Sequence, residues 1–397
     1  MKNFIRLLSL FIVTLLLFTA CEGPMGPAGA DGNDGTDGKD ANETCKLCHN
    51  SEVVEATANQ FKYSTHYLGE AFEEGTRNNC APCHSNQGFL YVTKNNTPAT
   101  IVANPSDPTK FINNYVIPAS ATSFPGEISC FTCHSSLHTN YAGTEFLPLT
   151  TTAAVPMTMW GGSKSINFAK TTGNLCAKCH QPRPVTASSG ALIDYSKLVS
   201  DPTAKFTLAS VSYRTGIHYG AQGAMASGTG GIEFGTGYSN SAHTSGASCI
   251  TCHMAAASGF SGGHSFIVSG NFNGCNAASC HSTMSSSSDI FTTTQTVISG
   301  LLDQLAEKIN ATGAGHDILQ KDPVTNKYNG YLDIYDSGSN ATGYWKNPAN
   351  GTPAFPAITN AQFGAIINYQ LVVRDGSLGV HNFPYIKRLL ENTIAAI

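Results

Sequence analysis

One short pattern recurs along the chain: two cysteines, then a histidine. It reads Cys45-Lys-Leu-Cys48-His49, Cys80-Ala-Pro-Cys83-His84, Cys130-Phe-Thr-Cys133-His134, Cys176-Ala-Lys-Cys179-His180 and Cys249-Ile-Thr-Cys252-His253. A sixth copy is stretched, Cys275-Asn-Ala-Ala-Ser-Cys280-His281. Of 13 cysteines the six copies use twelve, and only Cys21 is left over. No cysteine remains for a disulfide framework. Zinc ribbons assemble four ligands from two knuckles and give no reason for a histidine after every second cysteine. The pattern is instead that of covalent c-type haem. Two thiols add across the two vinyl groups, and the following histidine coordinates the iron from one face. Six such haems would hang on the stretch from Cys45 to His281, roughly 40 residues each. So thin a chain cannot bury every macrocycle behind two packed layers. The haems are expected to supply much of the interior themselves and to lie close together. Electron tunnelling falls steeply with distance, so this density favours a conduction chain.

The second face of each iron decides between carrier and catalyst, because an open face can bind a small substrate. Beyond the six motif histidines, seven of the 13 remain: His66, His138, His218, His243, His264, His316 and His381. Six haems need six such ligands. Ser64-Thr65-His66 and Ser241-Ala242-His243 sit in small-residue loops that let an imidazole approach a porphyrin face. His138 follows His134 by four and would serve a neighbouring haem, not its own. His264 and His381 follow glycine-containing turns, and His218 precedes one. His316, in Ala-Gly-His316-Asp, has the least supportive setting. No motif carries lysine in place of its histidine.

The stretch from His218-Tyr-Gly-Ala-Gln-Gly to Asn240-Ser-Ala-His243, followed by Cys249-Ile-Thr-Cys252-His253-Met254 and Gly263-His264, resembles the multihaem c-type cytochromes of bacterial respiration. Asp375-Gly-Ser377, then Gly379-Val-His381-Asn382, resembles the helix-linked distal-histidine segment of the pentahaem nitrite reductase and its octahaem relatives. The likeness covers roughly residues 210–282 and 361–397, and the motifs extend it back to Cys45. It implies a loop-and-helix body with stacked haems and bis-histidine irons. Distal roles carry over best to His218, His243, His264 and His381. It stops at the catalytic haem, since the lysine-ligated motif is missing.

The first twenty residues read as a secretion signal: Lys2 and Arg6, then an apolar run from Leu7 to Phe18. Leu17-Phe18-Thr19-Ala20-Cys21 resembles a bacterial lipobox, which would lipidate Cys21. Glycines at 23, 26, 29, 32, 35 and 38 keep a Gly-x-y period, read as a hydrated tether or a trimerising stalk. Charged residues are only 12% against roughly 25% in ordinary soluble proteins, and the formal net charge is −4, so nothing is basic enough to suggest a nucleic-acid partner and none is expected.

After His281, apolar residues Ile290, Val297, Ile298, Leu301, Leu302, Leu305 and Ile309 follow helical spacing. A loop or short hairpin is expected over 320–356, a helix capped at Thr359-Asn360, and a last helix opened by Pro384. The expected fold class is mainly α with extensive irregular loops: a multihaem cytochrome c body with stacked haems and a C-terminal helical segment. The expected organisation is signal 1–20, lipidated tether 21–44, six-haem domain 45–284 and a helical segment 285–397 that returns His381 to a haem.

The function expected is electron transfer by a hexahaem, lipid-anchored lipoprotein on the outer membrane, facing outward. Partners would be other cytochromes or redox proteins, and minerals or other extracellular acceptors. The alternatives are a multihaem reductase of a nitrogen or sulfur oxyanion with one open haem, and a self-assembling filament cytochrome.

Overall fold

A computed structural model describes residues 50–77, 80–95, 125–134, 149–183, 185, 193–206, 211–277, 280–336, 338 and 340–397, with the backbone of 101–104 and 107–113. The chain divides into units Met1–Asn50 and Ser51–Ile397, and all described residues but Asn50 belong to the second. The leader, Cys21, the glycine tether, Cys45, Cys48, His49 and His138 lie outside the described residues.

The first part of the second unit is thinly packed. Helices α1 (Ser51–Phe61) and α2 (Thr65–Leu68) bury none of their residues. Ser64 caps α2 by accepting a hydrogen bond from the Tyr67 amide. Helices α3 (Ala81–His84) and α4 (Asn86–Lys94) follow, with Ser85 capping α4. Strands β1 (Ile101–Asn104) and β2 (Asp107–Asn113) pair antiparallel. One turn of helix, α5 (Cys130–Cys133), then packs on α4.

From Val155 onward the chain has a protein core. Strands β3 (Val155–Pro156) and β4 (Ser165–Ile166) pair, and the short helices α6 (Thr172–Ala177), α7 (Tyr195–Ser200), α8 (Gln222–Ser227), α9 (His243–Gly246) and α10 (Cys249–His253) follow. Helix α11 (Asp289–Ala311), the hairpin of β5 (Leu319–Lys321) and β6 (Tyr328–Leu332), α12 (Asn360–Asp375) and α13 (Phe383–Ala396) complete the chain. One apolar cluster joins Val155 to Leu390, so it draws on both sides of residue 285.

Helix α12 is the centre. It starts where the sequence predicts, because Thr359 and Gln362 form a reciprocal capping box. It ends at Gly376, whose φ of 72° suits glycine. Fourteen of its sixteen residues are buried, polar ones included. Asn368 accepts from the Ile232 amide at 2.8 Å and donates to the Ile232 carbonyl at 2.8 Å. Gln370 accepts from the Ile217 amide at 2.8 Å and donates to the Gly330 carbonyl at 2.8 Å. A helix buried on all sides must satisfy its polar groups this way, since an unpaired one costs roughly 1–3 kcal/mol.

Helix α11 departs from its expected stripe. Ile298, Leu302, Leu305 and Ile309 are buried, but Ile290 is 59% exposed. A Cβ on Gly379 would fall within 2.6 Å of Ile298, and Lys308 donates to the carbonyls of Ile394 and Ile397. Helices α11 and α13 therefore run in the same direction, and the first turns of α11 project beyond the start of α13. Among the described residues no helix is long and apolar enough to cross a membrane.

Candidate haem sites

The ten described motif cysteines form no disulfide. Two of the motif turns carry the same local device. Ser129 and Thr132 make a capping box around Cys130–Cys133, and Ser248 and Thr251 make another around Cys249–His253. Each box fixes one helical turn that carries both thiols. Long-range bonds then place the turns. Thr132 donates to Asn86 Oδ1 at 2.6 Å, and the Ser248 and Thr172 hydroxyls lie 3.2 Å apart. The Gly223 amide donates to the His180 carbonyl at 2.8 Å, an approach that leaves no room for a Cβ at residue 223.

The histidines come together in pairs, each with one motif histidine and one of the other seven. His66 and His180 have ring centroids 6.0 Å apart, and His84 and His218 likewise 6.0 Å. His243 and His281 are at 6.1 Å, and His253 and His381 at 6.3 Å. Two imidazoles that ligate one metal ion from opposite sides, each at about 2 Å, have centroids roughly 6 Å apart. His264 lies near enough to His134 to feel its charge. His316 stands elsewhere, stacked on Tyr344 at 3.5 Å.

The outer nitrogens are held as ligand histidines require. His381 Nδ1 donates to Asp375 Oδ1 at 2.6 Å. His253 Nδ1 donates to the Phe266 carbonyl at 2.9 Å, and His243 Nδ1 to the Val380 carbonyl at 3.1 Å. His180 Nδ1 meets Gln222 Oε1 at 3.2 Å, while Gln222 Nε2 donates to the Arg374 carbonyl at 3.0 Å. The amide orientation thus makes His180 Nδ1 the donor. In all four, the proton sits on Nδ1 and Nε2 is left with its lone pair for a metal. Val380, His381 and Asn382 act as a clasp: the first holds His243, the second faces His253, and Asn382 accepts from the Ser241 amide at 2.9 Å.

Electrostatics favour neutral rings at His66, His180, His218, His253 and His264. His66 as a residue is exposed on α2, but desolvation of its ring first, then His180 and His253, pull it down to about 4. Burial and then Arg183 pull His218 down to about 4. Burial lowers His180, His253 and His264 as well. At His381 burial acts downward too, but the Asp375 carboxylate outweighs it and the net shift is upward.

The motifs come together at their thiols. Cys83 Sγ donates to the Lys178 carbonyl at 3.7 Å, Cys179 Sγ to the Pro82 carbonyl at 3.9 Å and Cys249 Sγ to the Gly173 carbonyl at 3.8 Å. Cys83 with Cys179, Cys176 with Cys249 and Cys252 with Cys275 lie near enough that in each pair one thiol is lowered and the other raised; Cys275 falls to about 7 beside Cys252. Burial and then Cys130 push Cys133 up to about 11. Cys133 also lies close enough to Cys176 and Cys179 to raise them. The second, fourth, fifth and sixth motifs thus form a contiguous series, with the third beside the fourth.

These residues fit haem on two counts. Among the described residues no group of three or more His, Cys, Asp or Glu side chains could hold a bare ion. Opposed imidazole pairs instead suit a metal whose other positions are filled by a macrocycle, and the adjacent thiols suit its covalent attachment.

Residues 28–191 match a family model, "Outer membrane cytochrome MtrC/MtrF-like, domains II/IV". That stretch is less than half of the chain. The match supports a multihaem outer-membrane cytochrome family that acts in extracellular electron transfer, with c-type haem implied. It takes in the first four motifs and His66 and His138. The last two motifs and His218, His243, His264, His316 and His381 lie beyond it. No curated protein and no solved structure matches the chain.

Sequence reasoning missed the residues behind the paired histidines. Asp375 stood six positions before His381, and a carboxylate at that spacing could have suggested the contact. The repeated Ser-Cys-x-Thr-Cys-His at 129–134 and 248–253 could have revealed the capping boxes. Nothing in the sequence signals Gln222 or the Phe266 carbonyl.

Proposed function

We propose that the chain is an exported electron-transfer protein that carries six covalent c-type haems, mostly bis-histidine. Anchored through a lipid on Cys21 at the outer membrane, it passes electrons along closely spaced sites to partner cytochromes or extracellular acceptors. The observation that carries this reading is the set of four imidazole pairs, each joining a motif histidine to one outside the motifs at 6.0–6.3 Å. Bound haem iron supplies one-electron Fe(III)/Fe(II) chemistry. The chain's residues do the rest. His66 with His180, His84 with His218, His243 with His281 and His253 with His381 would each hold one iron between them, which would disfavour substrate binding there. Backbone and carboxylate acceptors fix each Nδ1–H and so the aim of each Nε2. Bonds from the thiols of one motif to the backbone of the next set the sites beside each other. The third-motif site would be completed by His264, and for the first motif, which lies outside the described residues, His138 is the candidate.

The test is the spin state and haem count of the purified holoprotein. Six haems per chain, all low-spin and unmoved by carbon monoxide after reduction, is the expected result. A high-spin, carbon monoxide-binding haem in the native protein would instead bring the reductase reading forward. His66→Ala should convert one haem, the one on His180, to the high-spin form and leave the others low-spin.

A further inference from the structure

Two of the four pairs sit in opposite electrostatic surroundings. Around His84–His218 gather three of the six arginines in the chain, Arg183, Arg214 and Arg374. Arg183 Nη1 lies 3.8 Å from the sulfur of Cys80. Arg374 lies over the rings of Tyr219 and Tyr331, at 5.0 and 5.6 Å, and Tyr219 directly follows His218. Arg214 donates to the Tyr213 hydroxyl at 2.6 Å, and the Tyr213 ring is 5.4 Å from that of Tyr331. No ion pair among the described residues neutralises any of the three. Arg374 is only 6% exposed, and its Nε has no acceptor among the described residues. A buried guanidinium without a counter-charge is costly, so the site is built for an anion. The two propionates of a haem are carboxylates of the right charge, and three arginines still leave one positive charge in excess.

At His253–His381 the sign reverses. Asp375, 3% exposed, accepts from His381 Nδ1 at 2.6 Å and from the Ser377 amide at 3.3 Å. A carboxylate behind an imidazole makes it a stronger donor to iron and favours the ferric state. The other three outer bonds end on neutral acceptors: the Phe266 and Val380 carbonyls and the Gln222 amide.

We propose that the chain has a built-in potential step: the His253–His381 site is its low-potential member and the His84–His218 site its high-potential member. The His66–His180 site lies between them, because the fourth motif meets both of the others: Cys249 Sγ donates to the Gly173 carbonyl in α6 at 3.8 Å, Cys179 Sγ to the Pro82 carbonyl at 3.9 Å and Cys83 Sγ to the Lys178 carbonyl at 3.7 Å. Electrons therefore run from the His253–His381 site toward the His84–His218 site. The internal step is balanced, since one ferrous iron is oxidised, one ferric iron is reduced, and no proton or bond is exchanged. Asp375 and the three arginines are positioning residues that act through the ligands and through charge. The inference rests on the bis-histidine reading given above.

The experiment is a spectroelectrochemical titration of the holoprotein, followed by optical and EPR spectra, for the native chain and for Asp375→Asn, Asp375→Glu, Arg374→Gln and Arg214→Gln. Asp375→Asn should shift only the lowest-potential component upward, by about tenfold in ferric-to-ferrous ratio at fixed ambient potential (about 59 mV for one electron). Asp375→Glu should restore most of it. Arg374→Gln and Arg214→Gln should each move only the highest component, downward by severalfold. Arg214 is the less buried of the two, so it keeps the test alive should Arg374→Gln not fold. Potentials unmoved by these changes, or Asp375→Asn acting on any component but the lowest, would overturn the step. If the native holoprotein lacks low-spin haem, the bis-histidine reading itself fails, a result that spectra alone reveal before any titration.

Discussion

Helices α1 and α12 are both regular and both well formed, yet they are held by different things. None of α1 is buried, with Val53 and Val54 47% and 49% exposed, whereas α12 is buried at fourteen of its sixteen residues. The same contrast runs through their regions. Leu68 and Phe131, beside the early motifs, are 66% and 60% exposed, while Phe363 and Leu389 are fully buried. The later part has an apolar cluster of its own. The earlier part has motif turns, caps and a few long-range bonds, such as Gln60 Oε1 accepting from the His264 amide at 3.0 Å. A surface that apolar beside cysteine pairs is what a covalently attached macrocycle would cover.

The largest effect expected follows from that difference. In the full chain prepared without haem, hydrogen exchange should separate the two regions. Amides of α1 through α5 should open at a cost of about 0–1 kcal/mol, while those of α12 and α13 keep several kcal/mol. Equal protection in both, with haem absent, would break the comparison. Next in size is the core itself. Phe363 stacks on Phe206 with centroids 3.8 Å apart, and Phe363→Ala should cost about 3–5 kcal/mol, read as a lowered Tm. In the haem-free chain, Leu68→Ala should stay within about 0.5 kcal/mol.

How much of this could be read from sequence also differs between the regions. The late helices were legible because their signals are local: Asp289 opening α11, Thr359 before α12, Gly376 after it, Pro384 at the start of α13. Ile290 misled, since periodicity does not say where a neighbouring helix begins. One histidine of each pair could be singled out from its adjacency to two cysteines alone. Its partner could not: His66 meets His180, and His218 meets His84, through contacts more than a hundred residues apart in sequence. The count of spare histidines could only say that enough existed. The charge pattern around the pairs was hidden for the same reason, because Arg183, Arg214 and Arg374 converge only in three dimensions.

Asn368 sharpens the comparison at intermediate size. It bonds both backbone groups of Ile232 and also donates to the Thr393 hydroxyl at 2.8 Å. Asn368→Leu keeps the bulk but strands those groups, so a loss of roughly 2–4 kcal/mol is expected by thermal unfolding. A loss below about 1 kcal/mol would mean that water reaches this part of the core.

An effect smaller than these core losses separates the regions most cleanly, because it removes one kind of bond from each. Thr359→Ala deletes the cap of a helix that the core already holds in place, and should cost about 1 kcal/mol of stability. Ser129→Ala deletes the equivalent cap of a single turn that bears Cys130 and Cys133. One turn has little helical stability of its own, since nucleation is unfavourable. The cap there does not hold up a core; it keeps two thiols at a fixed spacing. Its loss should therefore appear during attachment, as a fraction of molecules one haem short by mass spectrometry, with Tm of the fully loaded fraction nearly unchanged. The Thr359→Ala protein should show the reverse, complete loading with a lowered Tm. If both substitutions lowered Tm equally and left loading complete, the motif turn would be an ordinary capped helix, and the distinction between a region ordered by its own side chains and one ordered by its cofactor would not extend down to the attachment turns.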